Sequence, residues 1–134
     1  MSKRFKEWKN PIIKDGELTK WNWMGQGAEN LELGKNTDIG AFTYLNASSG
    51  MTICEDVQIG SHCAIYTVST IDEKEGPVFI GKNARIGSHT TIMPGVTIGE
   101  NAVVGAHSFV NKNVPDNKVA FGVPAKIIEK KDNE

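Results

Sequence analysis

An aliphatic residue recurs at every sixth position along most of this chain, starting at residue 33. Two interruptions break the count, one of two extra residues near 49–52 and one of nine extra residues at 71–79. The apolar positions of an amphipathic helix recur every three to four residues, so a period of six predicts short strands joined by turns instead. The series is Leu33, Ile39, Leu45, Ile53, Ile59, Ile65, Ile80, Ile86, Ile92, Ile98, Val104 and Val110.

A second series of small residues lies four places after the aliphatic ones. It comprises Thr37, Thr43, Ser49, Val57, Cys63, Ser69, Ala84, Thr90, Val96, Ala102, Ser108 and Val114. Before most of these stands Gly, Asn, Asp or His, the residue types that tolerate a positive φ in a turn. Examples are Asn36, Asp56, Asn83, Gly95, Asn101 and Asn113. Three such units close one triangular coil of eighteen residues, with the large side chains inside and the small ones where the walls converge.

The twelve units predict an all-β fold, a parallel β-helix of about four coils stacked at about 4.8 Å. All twelve aliphatic side chains are expected to point inward, with a protruding loop at 71–79 and a C-terminal tail. Residues 1–30 precede the repeat, and their three tryptophans predict a cap segment over the open end of the coils, followed by the β-helix domain at 31–134. Because so short a stack leaves much of each coil exposed, we expect the subunits to form a trimer around a threefold axis.

Composition narrows the choice of partners. The 134 residues fit one domain, and 15 basic against 16 acidic side chains are too balanced for non-specific nucleic-acid binding. No apolar run reaches the length of a membrane span, and the N-terminus lacks the apolar stretch of a secretory signal. Cys54 and Cys63 have neither disulfide-framework nor metal-site spacing. We therefore expect a cytoplasmic protein without bound metal, nucleic acid or membrane span.

Three segments carry a family resemblance. Residues 86–99 read IGSHTTIMPGVTIG, residues 104–115 read VGAHSFVNKNVP, and residues 121–126 read FGVPAK. Together they resemble the left-handed β-helix, hexapeptide-repeat acyltransferases, in particular the galactoside, xenobiotic and nucleotide-sugar acetyltransferase branch. The resemblance covers the chain from about residue 31 to residue 128. It implies a left-handed coil, acetyl-CoA as co-substrate, a homotrimer and active sites between neighbouring subunits.

The resemblance also implies a CoA site. Gly87, Ser88 and Ala106 fall where the family lines the pantetheine arm, and Asn111 and Lys112 fall where it places a Thr-Lys pair near the distal end of CoA. The Lys112 ammonium suits a phosphate as a point charge, although a solvated surface lysine is the alternative interpretation.

One basic residue of the family pattern is absent. Just after the Pro-Ala-Lys segment the family often carries a basic residue, and this chain has Glu129. Lys126, Lys130 or Lys131 is then the candidate to replace it at the CoA site.

The three histidines are the candidates for acid–base chemistry. Relatives that acetylate hydroxyl groups usually carry a histidine in the stretch entering the insertion, but residues 65–72 contain none. His62, His89 and His107 are spaced by whole coils, so we expect one column at the corner of the CoA arm. They either fill turns that favour a positive φ or take part in the reaction. We predict that His62, near the expected thioester, takes or relays the acceptor's proton, and that Asp72 of a neighbouring subunit's loop orients the acceptor.

The missing loop histidine bears on the acceptor. A hydroxyl needs a general base, whereas a free amine is already nucleophilic. The sequence therefore favours acetylation of the amino group of a nucleotide-linked amino sugar in surface-glycan biosynthesis. The alternative is a sugar or small-molecule O-acetyltransferase. Two other classes stay open: a zinc protein similar to the β-helix carbonic anhydrases, although its closely spaced histidine pair is missing here, and a non-catalytic trimeric scaffold.

Overall fold

The computed structural model describes residues 5–128, and its strands stack into three faces. The first face contains β1 (Met24–Gln26), β4 (Tyr44–Asn46), β7 (Ala64–Tyr66), β12 (Thr91–Ile92) and β15 (Phe109–Val110). The second contains β2 (Leu31–Leu33), β5 (Met51–Ile53), β10 (Val78–Ile80) and β13 (Thr97–Ile98). The third contains β3 (Asp38–Ile39), β6 (Gln58–Ile59), β11 (Arg85–Ile86), β14 (Val103–Val104), β16 (Val119–Gly122) and β17 (Ala125–Ile128). The chain visits the faces in turn, which is the predicted parallel β-helix.

Pairing between coils is parallel and follows the repeat. Ile65 pairs with Ile92, and Ile92 pairs with Val110. The offset between paired residues is eighteen where the repeat is uninterrupted, twenty across the first interruption and twenty-seven across the second. Both interruptions fall at the corner between the first and second faces, at 47–50 and 67–77. The other two corners therefore keep their register.

The interior contains the predicted aliphatic series. Eleven of its twelve members are buried, and Leu33 is half-buried against the core, so the predicted register is confirmed. Ten of the twelve small residues are buried as well. Ser49 and Ser69 are only half-buried, because they adjoin the interruptions, where Ala47 and Thr67 take the inward positions.

The turns adopt the expected backbone conformation with one exception. Asn36, Asp56, Asn83, Asn101 and Gly95 all have a positive φ. The expectation is wrong for Asn113, which is not among the residues with positive φ. There the side chain serves a different purpose, since its Oδ1 accepts a hydrogen bond of 2.8 Å from the Thr97 N–H in the coil below.

The nine-residue insertion protrudes as expected but ends earlier. Its base is an antiparallel ribbon of β8 (Val68–Ser69) and β9 (Lys74–Glu75), with an exposed turn between them. Val78 and Phe79, the last two residues of the predicted loop, already belong to β10. Val78 is buried and pairs with Met51, so the coil resumes two residues before Ile80.

The segment before the repeat contributes a strand to the coils. β1 pairs with β4, and Trp23 beside it is buried. A single turn of 3-10 helix, Ala28–Asn30, leads into β2. Further upstream, the Trp8 Nε1–H donates a 3.1 Å hydrogen bond to the Thr37 carbonyl, which fixes this segment against the first full coil.

The predicted C-terminal tail forms a hairpin. β16 pairs in parallel with β14, and β17 folds back antiparallel on β16 through a turn that contains the cis Val123–Pro124 bond. Among residues 5–128, no helix has the length and apolar character needed to cross a membrane.

Replacing Ile92 by alanine tests the register of the core. Ile92 is fully buried in the first face between Ile65 and Val110, so Ile92→Ala should lower the free energy of unfolding by about 2–5 kcal/mol through lost burial and a residual cavity. Urea denaturation at one fixed protein concentration measures this. Thr97→Ala, at an exposed strand position in the adjoining face, is the matched control with little expected effect. A cost below about 1 kcal/mol for Ile92→Ala would contradict the register.

Candidate functional site

The corner between the third and first faces brings together four of the predicted site residues. We call residues 60–63, 87–90 and 105–108 the histidine corner. Gly87 and Ser88 lie there in one coil, Ala106 lies in the next coil, and His62 lies in the coil before. A Cβ added to Gly87 would lie 2.4 Å from the Ala106 nitrogen, so only glycine allows the two coils to approach this closely.

The three histidines form one stack on the outside of this corner. The ring centroids of His62 and His89 are 4.8 Å apart at an interplanar angle of 1°, and those of His89 and His107 are 4.7 Å apart at 10°. All three side chains are exposed, and each residue has a φ of 58°. Parallel rings do not direct their nitrogens towards one point. Within residues 5–128, no group of three His, Cys, Asp or Glu side chains could hold a metal ion.

The column continues one coil further towards the N-terminus with Phe42. Its ring centroid lies 5.4 Å from that of His62 at an interplanar angle of 46°, and its φ is 64°. This left-handed conformation costs an L-residue about 1–2 kcal/mol, and it is exceptional for a bulky side chain. Sequence reasoning missed Phe42. The signal was an aromatic residue at a turn position that is otherwise usually Gly, Asn, Asp or His.

Inward-facing polar side chains hold the backbone of the histidine corner in place. The Thr43 hydroxyl donates to the Gly60 carbonyl at 2.8 Å, and the Cys63 thiol donates to the Gly87 carbonyl at 3.2 Å. The Ser108 hydroxyl donates to the Gly105 carbonyl at 2.7 Å. Burial raises the pKa of the Cys63 thiol, which keeps it protonated and makes it a donor here instead of a nucleophile.

The backbone of this corner presents a row of donors. The Ser61 carbonyl accepts the His89 N–H at 3.0 Å, and the Ser88 carbonyl accepts the His107 N–H at 2.9 Å. The amide N–H groups of Ser61, Ser88 and Ala106 have no acceptor among the described residues. The corner therefore offers one unpaired N–H group per coil, an arrangement suited to an extended ligand that carries carbonyl groups.

A groove of about 600 Å³ lies along the third face beside the histidine corner. Its lining includes Gly60, Gly87 and Ala106 from the corner and the exposed Arg85 from β11. Arg85 is a second residue that sequence reasoning missed. It occupies an outward strand position directly before Ile86, where the repeat itself sets no requirement.

The remaining predicted residues lie elsewhere in the chain. Asn111, Lys112 and Asp72 are exposed at the corner between the first and second faces, and Lys126 is exposed in β17. The first face separates Lys112 and Asp72 from the histidine corner, so a single chain does not bring these groups together. Glu129, Lys130 and Lys131 lie outside the described residues.

Asp72 is engaged within its own loop. The Ser69 hydroxyl donates to Asp72 Oδ1 at 2.5 Å, and Lys74 Nζ lies 3.6 Å from Oδ2. The Ser69 hydrogen bond is the main cause that lowers the pKa of the Asp72 carboxyl, with a smaller contribution from Lys74. Asp72 is thus a carboxylate at neutral pH and can accept hydrogen bonds but not supply a proton.

Known proteins match both the repeat and the fold. Residues 77–112 match the family described as "Bacterial transferase hexapeptide (six repeats)". The galactoside O-acetyltransferase of Escherichia coli (strain K12) is 40% identical over 112 residues, 71% of this chain and 54% of that protein. The chain spans little more than half the length of the curated relatives it matches, reaching 57% for one from Staphylococcus aureus.

Two solved structures extend the comparison. A maltose O-acetyltransferase from Clostridium difficile 630 superimposes with a TM-score of 0.76 at 34% identity, over 81% of this chain and 63% of that one. AntD, an N-acyltransferase from Bacillus cereus in complex with dTDP and 3-hydroxybutyryl-CoA, gives a TM-score of 0.70 at 26% identity, over 83% and 66% of the two chains. The expected resemblance is confirmed, and the chain belongs to the left-handed β-helix, hexapeptide-repeat acyltransferases.

Proposed function

We propose that this protein transfers an acetyl group from acetyl-CoA to a sugar, and that the acceptor is the amino group of a nucleotide-linked amino sugar in surface-glycan biosynthesis. The observation that carries the proposal is the histidine corner, where the N–H groups of Ser88 and Ala106 have no acceptor among the described residues and a groove lies alongside. The similarity to AntD, a structure with both a nucleotide and an acyl-CoA, supports this pairing of substrates.

The pantetheine arm of CoA fits the donors of this corner. Pantetheine is a narrow chain with two amide carbonyl groups, which can accept hydrogen bonds from backbone N–H groups in successive coils. Gly87 leaves no side chain to obstruct the arm. The terminal phosphates then need cations, which Lys112 and Lys126 supply in this proposal, with Asn111 as a further hydrogen-bonding group.

The complete site needs a second subunit. Lys112 and Asp72 lie at a different corner from Ser88 within one chain, so they reach the same CoA molecule only from a neighbouring copy. A homotrimer that sets the corner of residues 111–113 against a neighbour's histidine corner provides this arrangement three times. Acetyl-CoA then lies in the groove between two subunits.

The chemistry follows from these groups. The acceptor nitrogen attacks the thioester carbonyl, a C–N bond forms, the C–S bond breaks and CoA leaves as the thiolate. A backbone N–H of the corner stabilises the negative charge on the carbonyl oxygen. His62 takes the proton that the nitrogen loses, and the thiolate finally receives it. Asp72 of the neighbouring subunit's loop orients the acceptor.

The cytoplasm, where thiols such as Cys54 and Cys63 stay free, is the proposed compartment.

O-acetylation of a sugar is the second candidate. The similarity to a galactoside and a maltose O-acetyltransferase favours it. A hydroxyl acceptor would make His62 an obligatory general base, because the pKa of a sugar hydroxyl lies far above 7. The two candidates are separated by measuring acetyl-CoA consumption with UDP-glucosamine and other nucleotide-linked amino sugars against neutral sugars. Consumption with the neutral sugars alone would contradict the amine acceptor.

Zinc analysis and a thermal shift with CoA test the zinc-protein and scaffold alternatives.

Lys112→Ala tests the cofactor site. Loss of one charge-assisted contact to a phosphate should weaken CoA binding by roughly 1 to 2 kcal/mol, measured by isothermal titration calorimetry. Lys35→Ala removes another exposed lysine, at the corner between the second and third faces, and should leave the affinity unchanged. Unchanged affinity in Lys112→Ala would mean that this lysine is an ordinary surface residue.

His62→Asn tests the proton acceptor without disturbing the turn, because asparagine also tolerates a positive φ. With a hydroxyl acceptor the rate should fall about 10² to 10⁴-fold, the usual loss for a general base. With an amine acceptor the fall should be less than about tenfold. Full activity on both acceptor types would assign His62 to the turn alone. Steady-state kinetics at saturating acetyl-CoA distinguish these outcomes.

A further inference from the structure

We infer that Phe42 is the surface on which the ring of the acceptor sugar packs, and that it helps determine acceptor specificity. This inference rests on the proposed function and adds a residue that contacts the acceptor. Three observations carry it: the position of Phe42 in the column, its backbone conformation and its exposure.

Position places Phe42 beside the reacting groups. The proposed function sets the thioester next to His62, and the Phe42 ring centroid is only 5.4 Å from that of His62. Phe42 lies one coil further from Ser88 and Ala106, on the side opposite the CoA arm. The attacking nitrogen lies at His62 in this arrangement. The sugar ring bonded to that nitrogen therefore extends over Phe42, because one coil spacing is about the width of a six-membered ring.

The backbone conformation of Phe42 is not explained by folding. The equivalent turn residues of the other coils in this column are Asn22, His62, His89 and His107, and each has a φ between 58° and 65°. Asparagine and histidine are common in this conformation, but phenylalanine is not. An unfavourable residue at a turn that asparagine would fill without strain points to a role for the side chain itself.

The exposure of Phe42 shows that its ring contributes little to packing in the core. Phe42 is 59% exposed, and its N–H already has a backbone partner in the Asn22 carbonyl, which the side chain does not affect. An exposed aromatic ring offers a flat apolar surface without charge or hydrogen-bonding groups. Of the parts of a nucleotide-linked sugar, the carbon face of the pyranose ring has the matching chemistry, since its C–H groups are apolar while its hydroxyls project around the edge. Phosphates gain nothing from such a surface.

Phe42→Asn is the decisive variant, because it removes the ring and suits the turn. We expect its melting temperature to lie within about 3 °C of the wild-type value or above it. We expect the KM for UDP-glucosamine to rise about tenfold and the KM for acetyl-CoA to change by less than about twofold. Phe42→Tyr keeps the ring and should retain the wild-type KM. Phe79→Thr, which removes another exposed ring, from the second face, is the matched control.

In the kinetic experiment, an unchanged acceptor KM in Phe42→Asn would overturn the inference. Loss of the trimer by light scattering with both KM values rising together would also overturn it, because the ring would then be assigned to a subunit contact. Saturation-transfer NMR with UDP-glucosamine, without acetyl-CoA, tests contact separately from catalysis. Weaker transfer to the pyranose C–H protons in Phe42→Asn than in wild type would support it, and equal transfer, or none to wild type, would overturn it. If the sugar contacts Phe42 but no acetyl group is transferred, the proposed function alone fails.

Discussion

Each coil of this protein must lie one strand spacing from the next, and the rest of the structure depends on that contact. The backbones approach so closely that a Cβ on Gly60 would lie 2.6 Å from the Ser88 nitrogen, and one on Gly87 would lie 2.4 Å from the Ala106 nitrogen. A side chain at either position would force the two coils apart at this corner and disturb the strand pairing beside it. The positive φ angles at the corners and the small inward side chains both allow the coils to stack this closely.

Close stacking gives each corner its own chemistry, because equivalent side chains lie directly above one another. Histidines form one such column, with ring centroids 4.7 and 4.8 Å apart. At the corner between the second and third faces, amides form another: Asn83 Nδ2 donates to Asn101 Oδ1 at 2.6 Å, and Asn101 Nδ2 donates to Asn117 Oδ1 at 3.3 Å. Both columns use residues that accept a positive φ, so the turn requirement and the column chemistry are satisfied by the same residues.

The fold could be predicted because every coil repeats the same packing requirement, so one period of six residues defines the interior and the faces. The prediction failed where a residue outside the aliphatic series fills an inward position. β1 was missed because its one buried position is Gly25 and the buried residue just before the strand is Trp23, so no aliphatic residue continues the series. The site was only partly predictable. Spacing along the chain places His62 beside Ser88, but it carries no information on how Ser69 holds Asp72 or on strain at Phe42.

The concentration of both interruptions at one corner separates two kinds of variation in this molecule. The perimeter of a coil lengthens by two residues at 47–50 and by nine at 67–77, yet the offset between paired strands changes equally on every face and the other corners stay aligned. The loop that reaches away from the coils can therefore change in length and composition without moving any group of the histidine corner. Insertions at this corner thus alter what surrounds the coils while the stacked core keeps its geometry.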